Sequence, residues 1–142
     1  MDTKFSVAIH ILAMISETAD VLNSKALAES VGTNASYIRK VLALLKNANL
    51  ITSHQGKAGY DLSRPASDIS LLDIYYATQE VQHVTLFQVH QNTNPECPVG
   101  QNIEGAVAPL FHSVEAQLES QLAHQSLADV IANLYEQAGR KA

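Results

Sequence analysis

The sequence predicts a mainly α-helical fold with one small β-hairpin, and three observations predict it. Apolar residues recur at helical spacing in six separate segments. Two short strand-like runs flank a glycine-containing turn between the third and fourth of these segments. Near the C-terminal end, a long apolar stripe lies on a helix that cannot bury it alone. At 142 residues and 46% apolar content, the chain has room for a core and an appendage, but not for two separate enzymatic domains.

Phe5, Ala8, Ile9, Leu12, Ala13 and Ile15 form the face of a first helix that ends between Glu17 and Asp20. Asn23-Ser24 can cap a short second helix with Leu27, Ala28 and Val31 on its apolar side, and Gly32 closes it. Thr33 to Ser36 offer capping oxygens to a third helix, which carries Ile38, Val41, Leu42, Leu44 and Leu45 and runs to about Ala48. Leu50 to His54 and Tyr60 to Leu62 read as strands joined by the turn Gln55-Gly56-Lys57-Ala58-Gly59. Arg64-Pro65 stops the second strand. Ser67 or Asp68 is then expected to cap a fourth helix that contains Ile69, Leu72, Ile74 and Tyr75 and ends near Glu80.

From Gln88 to Gly100 the asparagines, prolines and glycine have loop chemistry. A long helix follows with the stripe Ile103, Val107, Leu110, Phe111, Val114, Leu118 and Leu122, while Glu104, Glu115 and Glu119 are expected on its wet side. Ser126 opens a last helix with Leu127, Val130, Ile131 and Leu134, before a polar tail at Gly139-Arg140-Lys141. The expected organisation is a first module over 1–80, a connecting segment over 81–100 and a helical region over 101–142.

Helix, helix, tight turn, helix and glycine-tipped hairpin is the order of a winged helix-turn-helix, whose second turn-flanking helix enters the major groove of DNA. The net charge of -5 argues against nucleic acid until its distribution is considered. Between residues 25 and 64, Lys25, Arg39, Lys40, Lys46, Lys57 and Arg64 face only Glu29 and Asp61, so a basic segment sits inside an acidic chain. Ser36, Tyr37, Arg39 and Lys40 begin the third helix off its apolar face. Ser36 and Tyr37 can donate to phosphate, Lys40 adds a point charge, and the Arg39 fork matches guanine O6 and N7. Tyr37 can equally pack against the second helix. Gln55 and Lys57 lie at the hairpin tip, on a backbone thin enough to reach a minor groove or phosphates.

Phe5 to Ala13, Ser36-Tyr37-Ile38, Leu50-Ile51, Gln55 to Tyr60 and Ile69-Ser70-Leu71-Leu72-Asp73-Ile74 together resemble the Rrf2 (Rrf-two) family of bacterial winged helix-turn-helix regulators, over most of the chain. The resemblance implies a homodimer held by the long C-terminal dimerisation helix, with Ile103, Val107, Leu110, Val114, Leu118 and Leu122 at the interface. It also implies contacts of Ser36, Tyr37, Arg39, Gln55 and Lys57 with double-stranded DNA at a palindromic operator. Two departures prevent the operator sequence from being borrowed: Arg39 stands where this family often has glutamate, and Gln55 where the wing often opens with arginine.

Cluster-binding members place three cysteines before the long helix, because thiolates ligate an iron-sulfur cluster. This chain has one, Cys97, so no cluster, no other cofactor and no metal site is expected. Cys97 precedes a helix whose first amides favour a thiolate, which makes it a candidate thiol sensor; the alternative is a small packing residue. His83, His90, His112 and His124 match no common zinc spacing. An enzyme using Cys97 with a histidine base lacks an accompanying oxyanion loop or phosphate-binding glycine motif, so no enzymatic activity is expected. No apolar run reaches the ~20 residues of a membrane span, and the first residues lead into a helix rather than a signal peptide, so a cytoplasmic location is expected. The sequence reading is therefore a DNA-binding repressor whose affinity responds to a signal at Cys97, with a non-catalytic protein-interaction module of the same fold as the alternative.

Overall fold

A computed structural model describes residues 2–141, with side chains from Asp2 to Gly139. The order is α1 (Lys4–Glu17), α2 (Ser24–Val31), α3 (Ala35–Asn47), β1 (Ile51–Ser53), β2 (Tyr60–Leu62), a single 3-10 turn (Ala66–Asp68), α4 (Leu71–Gln79), α5 (Pro98–Ala123) and α6 (Leu127–Lys141). This is the expected mainly helical architecture with a two-stranded wing. Among the described residues, no helix is long and apolar enough to cross a membrane.

Local chemistry sets the helix ends. The Asn23 side chain accepts from the Ala26 amide at 2.8 Å to start α2, and Gly32 ends it in the left-handed region at φ 86°. Of the side-chain oxygens offered over residues 33–36, that of Asn34 caps α3, accepting from the Tyr37 amide at 2.9 Å. Ile38, Val41, Leu42 and Leu45 then recur on one buried face and pack against Ile11, Leu12 and Leu27. Burying such a leucine or isoleucine fully contributes about 1.5–3 kcal/mol each. The strands pair antiparallel with Ile51 opposite Leu62 and Ser53 opposite Tyr60.

The cap expected at Ser67 or Asp68 is corrected. Those residues lie in the 3-10 turn, and α4 begins after Ser70, whose Oγ accepts from the Asp73 amide at 3.0 Å. The Asp73 carboxylate accepts from the Ser70 amide at 3.0 Å, which completes a reciprocal capping box. The Arg64 guanidinium donates to Asp73 Oδ2 at 2.9 Å and to the Asp68 carbonyl at 2.8 Å, so this cation fastens the wing exit to α4.

Glu115 and Glu119 depart most from their expected place. Glu115 is buried and Glu119 half-buried. Glu115 is only 8% exposed, and its Oε2 accepts from the Leu86 and Phe87 amides at 2.7 and 3.3 Å. Glu119 Oε1 accepts from the Val84 amide at 2.8 Å and from the Tyr76 hydroxyl at 3.3 Å. Residues 81–97 form no helix or strand here, so their backbone amides need other acceptors, and the two carboxylates supply them. Phe87 adds a ring contact with Phe111, centroids 4.9 Å apart.

After α5 the chain turns back. The Leu127 amide donates to the Ile69 carbonyl and the Leu71 amide to the Gln125 carbonyl, both at 2.8 Å, which joins the start of α4 to the α5–α6 turn. Ser126 and Asp129 cap α6 reciprocally, at 2.9 and 3.2 Å. Leu127 and Ile131 enter the same core as α1 to α4. The expected polar tail is part of α6, which runs through Lys141; the side chains of Arg140 and Lys141 lie outside the described ones. Leu127→Ala should therefore cost about 2–5 kcal/mol in chemical denaturation. A loss below about 1 kcal/mol would show that α6 does not anchor in the core.

Candidate nucleic-acid interface

The first turns of α3 divide their residues by face. Ile38, Val41 and Leu42 are buried, whereas Ser36, Arg39 and Lys40 are exposed on the opposite side. Tyr37 lies between them: it is partly buried and packed against the core, so its ring braces the helix. The Arg39 guanidinium donates to Ser24 Oγ at 3.4 Å, a long bond that leaves most of its five N–H donors uncommitted. That bond also places the fork beside the start of α2, where Lys25 is exposed as well.

The wing is the second exposed element. Gln55, Gly56, Lys57 and Ala58 are all exposed, and the turn closes through the His54 amide donating to the Gly59 carbonyl at 3.0 Å. Gly56 at φ 71° and Gly59 at φ 119° occupy backbone regions that residues with a Cβ seldom adopt. His54 was not among the sequence candidates. Its ring lies under the turn, with Nδ1 3.2 Å from the Ala58 carbonyl and Nε2 2.9 Å from Asp61 Oδ2. The only sequence signal for it is a histidine and an aspartate flanking a glycine turn, a pattern with no specific meaning until the hairpin register is known.

Cys97 is the exposed N-cap of α5, with Pro98 at the first helical position. The backbone amides of Gly100 and Val99 hold its thiol below the ordinary cysteine range. Its alkylation rate should consequently stay high at pH values where an ordinary thiol is protonated. A rate–pH profile on the intact protein measures this, and an inflection at the ordinary thiol position would contradict it. Among the described residues, no three His, Cys, Asp or Glu side chains are grouped as a metal site would require.

The expected dimer stripe is unevenly covered. Leu110 and Val114 are 66% and 48% exposed, whereas Ile103, Val107, Leu118 and Leu122 are half-buried within the chain. Phe111, on the same helix, is turned toward Phe87.

Comparison with known proteins agrees with this arrangement. A family model described as "Rrf2: Iron-dependent Transcriptional regulator" matches residues 1–133. YwnA of Bacillus subtilis, named as an HTH-type transcriptional regulator, is 42% identical over 135 residues, which cover 95% of this chain and 99% of YwnA. A crystal structure described as that of a DNA-binding protein is similar at TM-score 0.74 and 38% identity, covering 90% of this chain and 98% of the other. CymR of Bacillus subtilis, described as the global cysteine regulator, shares the fold at TM-score 0.69 and 19% identity, over 93% of this chain and 95% of CymR. With most of its length matched, with a relative of 42% identity and with a wing following α3 in the expected order, the chain belongs to the Rrf2 family of DNA-binding transcriptional regulators.

Proposed function

We propose that the protein acts in the cytoplasm as a homodimeric, sequence-specific repressor, which binds a palindromic operator with the start of α3 in the major groove and the wing on the adjoining backbone. The observation that carries this is the split face of α3. Its apolar side is consumed by the core, while Ser36, Arg39 and Lys40 remain outside and the exposed Gln55 and Lys57 form a second projection. Two subunits related by a twofold axis present two such helices to successive major grooves, which is why a palindrome is the matching site.

Arg39 is assigned to base readout and Lys57 to phosphate. Arg39→Ala should weaken operator binding about tenfold to a hundredfold and relax preference at one base pair. Lys57→Ala should weaken binding to all sequences alike and lower the slope of log affinity against log salt by about 1. Fluorescence anisotropy on duplexes selected from genomic fragments separates the two. Equal affinity of wild type and Arg39→Ala across all duplexes would remove the readout role.

The family description is iron-dependent, yet one thiolate per chain falls short of the three cysteines that its cluster-binding members supply. The donor set does not fit a cluster held in that way, and the reading is a regulator that works without one and without enzymatic activity. Stoichiometric iron and sulfide in anaerobically purified protein would overturn this. The lowered Cys97 thiol and its exposure support a response to an oxidant or electrophile at that residue. Operator affinity measured before and after stoichiometric modification, followed by mass, tests that response.

A further inference from the structure

Ser24 is the first residue of α2 and carries a hydroxyl that the helix start does not use. The capping acceptor there is Asn23, whose side chain takes the Ala26 amide at 2.8 Å. Ser24 Oγ accepts instead from Arg39 Nη1 of α3 at 3.4 Å, across the turn between the two helices. Among the described residues no carboxylate pairs with Arg39, so this hydroxyl is the group on the protein to which the guanidinium is bonded. Ser24 is half-buried at the edge of the core and gives a fixed point, whereas Arg39 is exposed and its long side chain is otherwise free to sweep. A guanidinium presents two donor forks, the Nη1–Nη2 end and the Nε–Nη2 side, and guanine O6 and N7 require one whole fork. The hydroxyl engages Nη1, so the fork that remains wholly uncommitted is Nε with Nη2.

We infer that Ser24 is a positioning residue for base reading: it holds Arg39 by Nη1 before DNA arrives, so that the Nε–Nη2 fork meets a guanine edge with less ordering left to be done. The inference rests on the readout role proposed above for Arg39. Its effect falls on discrimination. At a matching base pair the fork must be ordered in full, and a guanidinium already held at one nitrogen loses less freedom there. At a mismatched pair the fork is not engaged, so the tether contributes little. The charge of Arg39 is the same with or without the tether, so the number of phosphates neutralised, and with it the salt dependence, is unaffected.

The test uses the full-length protein and two duplexes, the best binder among genomic fragments and the same duplex changed at the base pair where Arg39→Ala loses its preference. The readout is the ratio of the two affinities. Ser24→Ala should lower that ratio about threefold to tenfold, the size of ordering one long side chain, while the slope of log affinity against log salt stays that of wild type. Asn23 still caps α2 in this variant and alanine favours a helix, so its melting temperature should change little. Ser24→Thr keeps the hydroxyl and should keep most of the wild-type ratio. In an Arg39→Ala background, Ser24→Ala should change nothing, because the group it positions is gone. If Ser24→Ala weakens both duplexes alike and does so again in the Arg39→Ala background, Ser24 touches DNA itself and the inference is overturned. A Ser24→Thr ratio as poor as that of Ser24→Ala overturns it as well. The two levels separate cleanly. If Arg39→Ala discriminates as wild type does at every base pair, the readout reading fails and the inference with it. If Arg39→Ala loses a preference that Ser24→Ala retains in full, the readout stands and only the role of Ser24 is lost.

Discussion

Replacing both Leu110 and Val114 by glutamate should yield a folded monomer that no longer holds its operator. The two side chains are 66% and 48% exposed on α5, so neither substitution opens a cavity within the chain, and circular dichroism and melting of the isolated subunit should change little. At the subunit seam proposed for α5, two added charges would be desolvated without partners, at a cost that an interface of ordinary size does not offset. In the homodimer proposed above the consequence for DNA is large, because the second half-site would be engaged at high effective concentration only while the subunits remain joined. Losing that linkage should lower operator affinity about a hundredfold or more. Sedimentation and anisotropy measure the two effects. A double variant that stays dimeric would show that the subunits meet elsewhere.

One residue further along α5 the expected outcome is opposite. Glu115→Ala should lower stability of the chain by about 2–3 kcal/mol, because the Leu86 and Phe87 amides lose their acceptor and water can satisfy them only in part. The melting temperature should fall by about 10 °C. Glu115→Gln keeps an oxygen acceptor and should recover much of the loss. Hydrogen exchange resolves the effect in space, with faster exchange expected at 84–87 and little change in α3. If exchange at 84–87 is the same in Glu115→Ala as in wild type, the carboxylate does not hold the connecting segment.

That neighbouring pair shows what could be read from the chain and what could not. Leu110 and Val114 were legible because helical spacing alone puts them on one stripe. Glu115 and Glu119 were not, since a glutamate off the apolar face is by default solvated, and their partners lie 28 to 43 residues away, amides of the irregular segment and the Tyr76 hydroxyl of α4. The ties of Arg64 were hidden for the same reason: its donors go to Asp68 and Asp73, and charge counting cannot distinguish a fastened guanidinium from a free one. The α4 cap is a different case. Ser70-Leu71-Leu72-Asp73 carries the spacing of a capping box in plain view, and the proline at 65 drew the helix start too early. The exposed face of α3 and the wing tip follow from local rules of capping, periodicity and turns, which is why they appear where the sequence put them. His54 needed the register of the hairpin, a tertiary fact.

The return of α6 to the first core has a kinetic meaning. Leu127 and Ile131 complete a hydrophobic cluster whose other members end at Ala77, and Leu127 is tied by its amide to Ile69. On a ribosome the module that carries α3 and the wing emerges early, but it lacks a wall until nearly the whole chain has been made. The contact closes a long loop and forms late in synthesis, so the core that supports α3 and the wing is expected to be complete only when translation is almost finished. A chain that stops short of residue 127 is therefore expected to lack two members of its core.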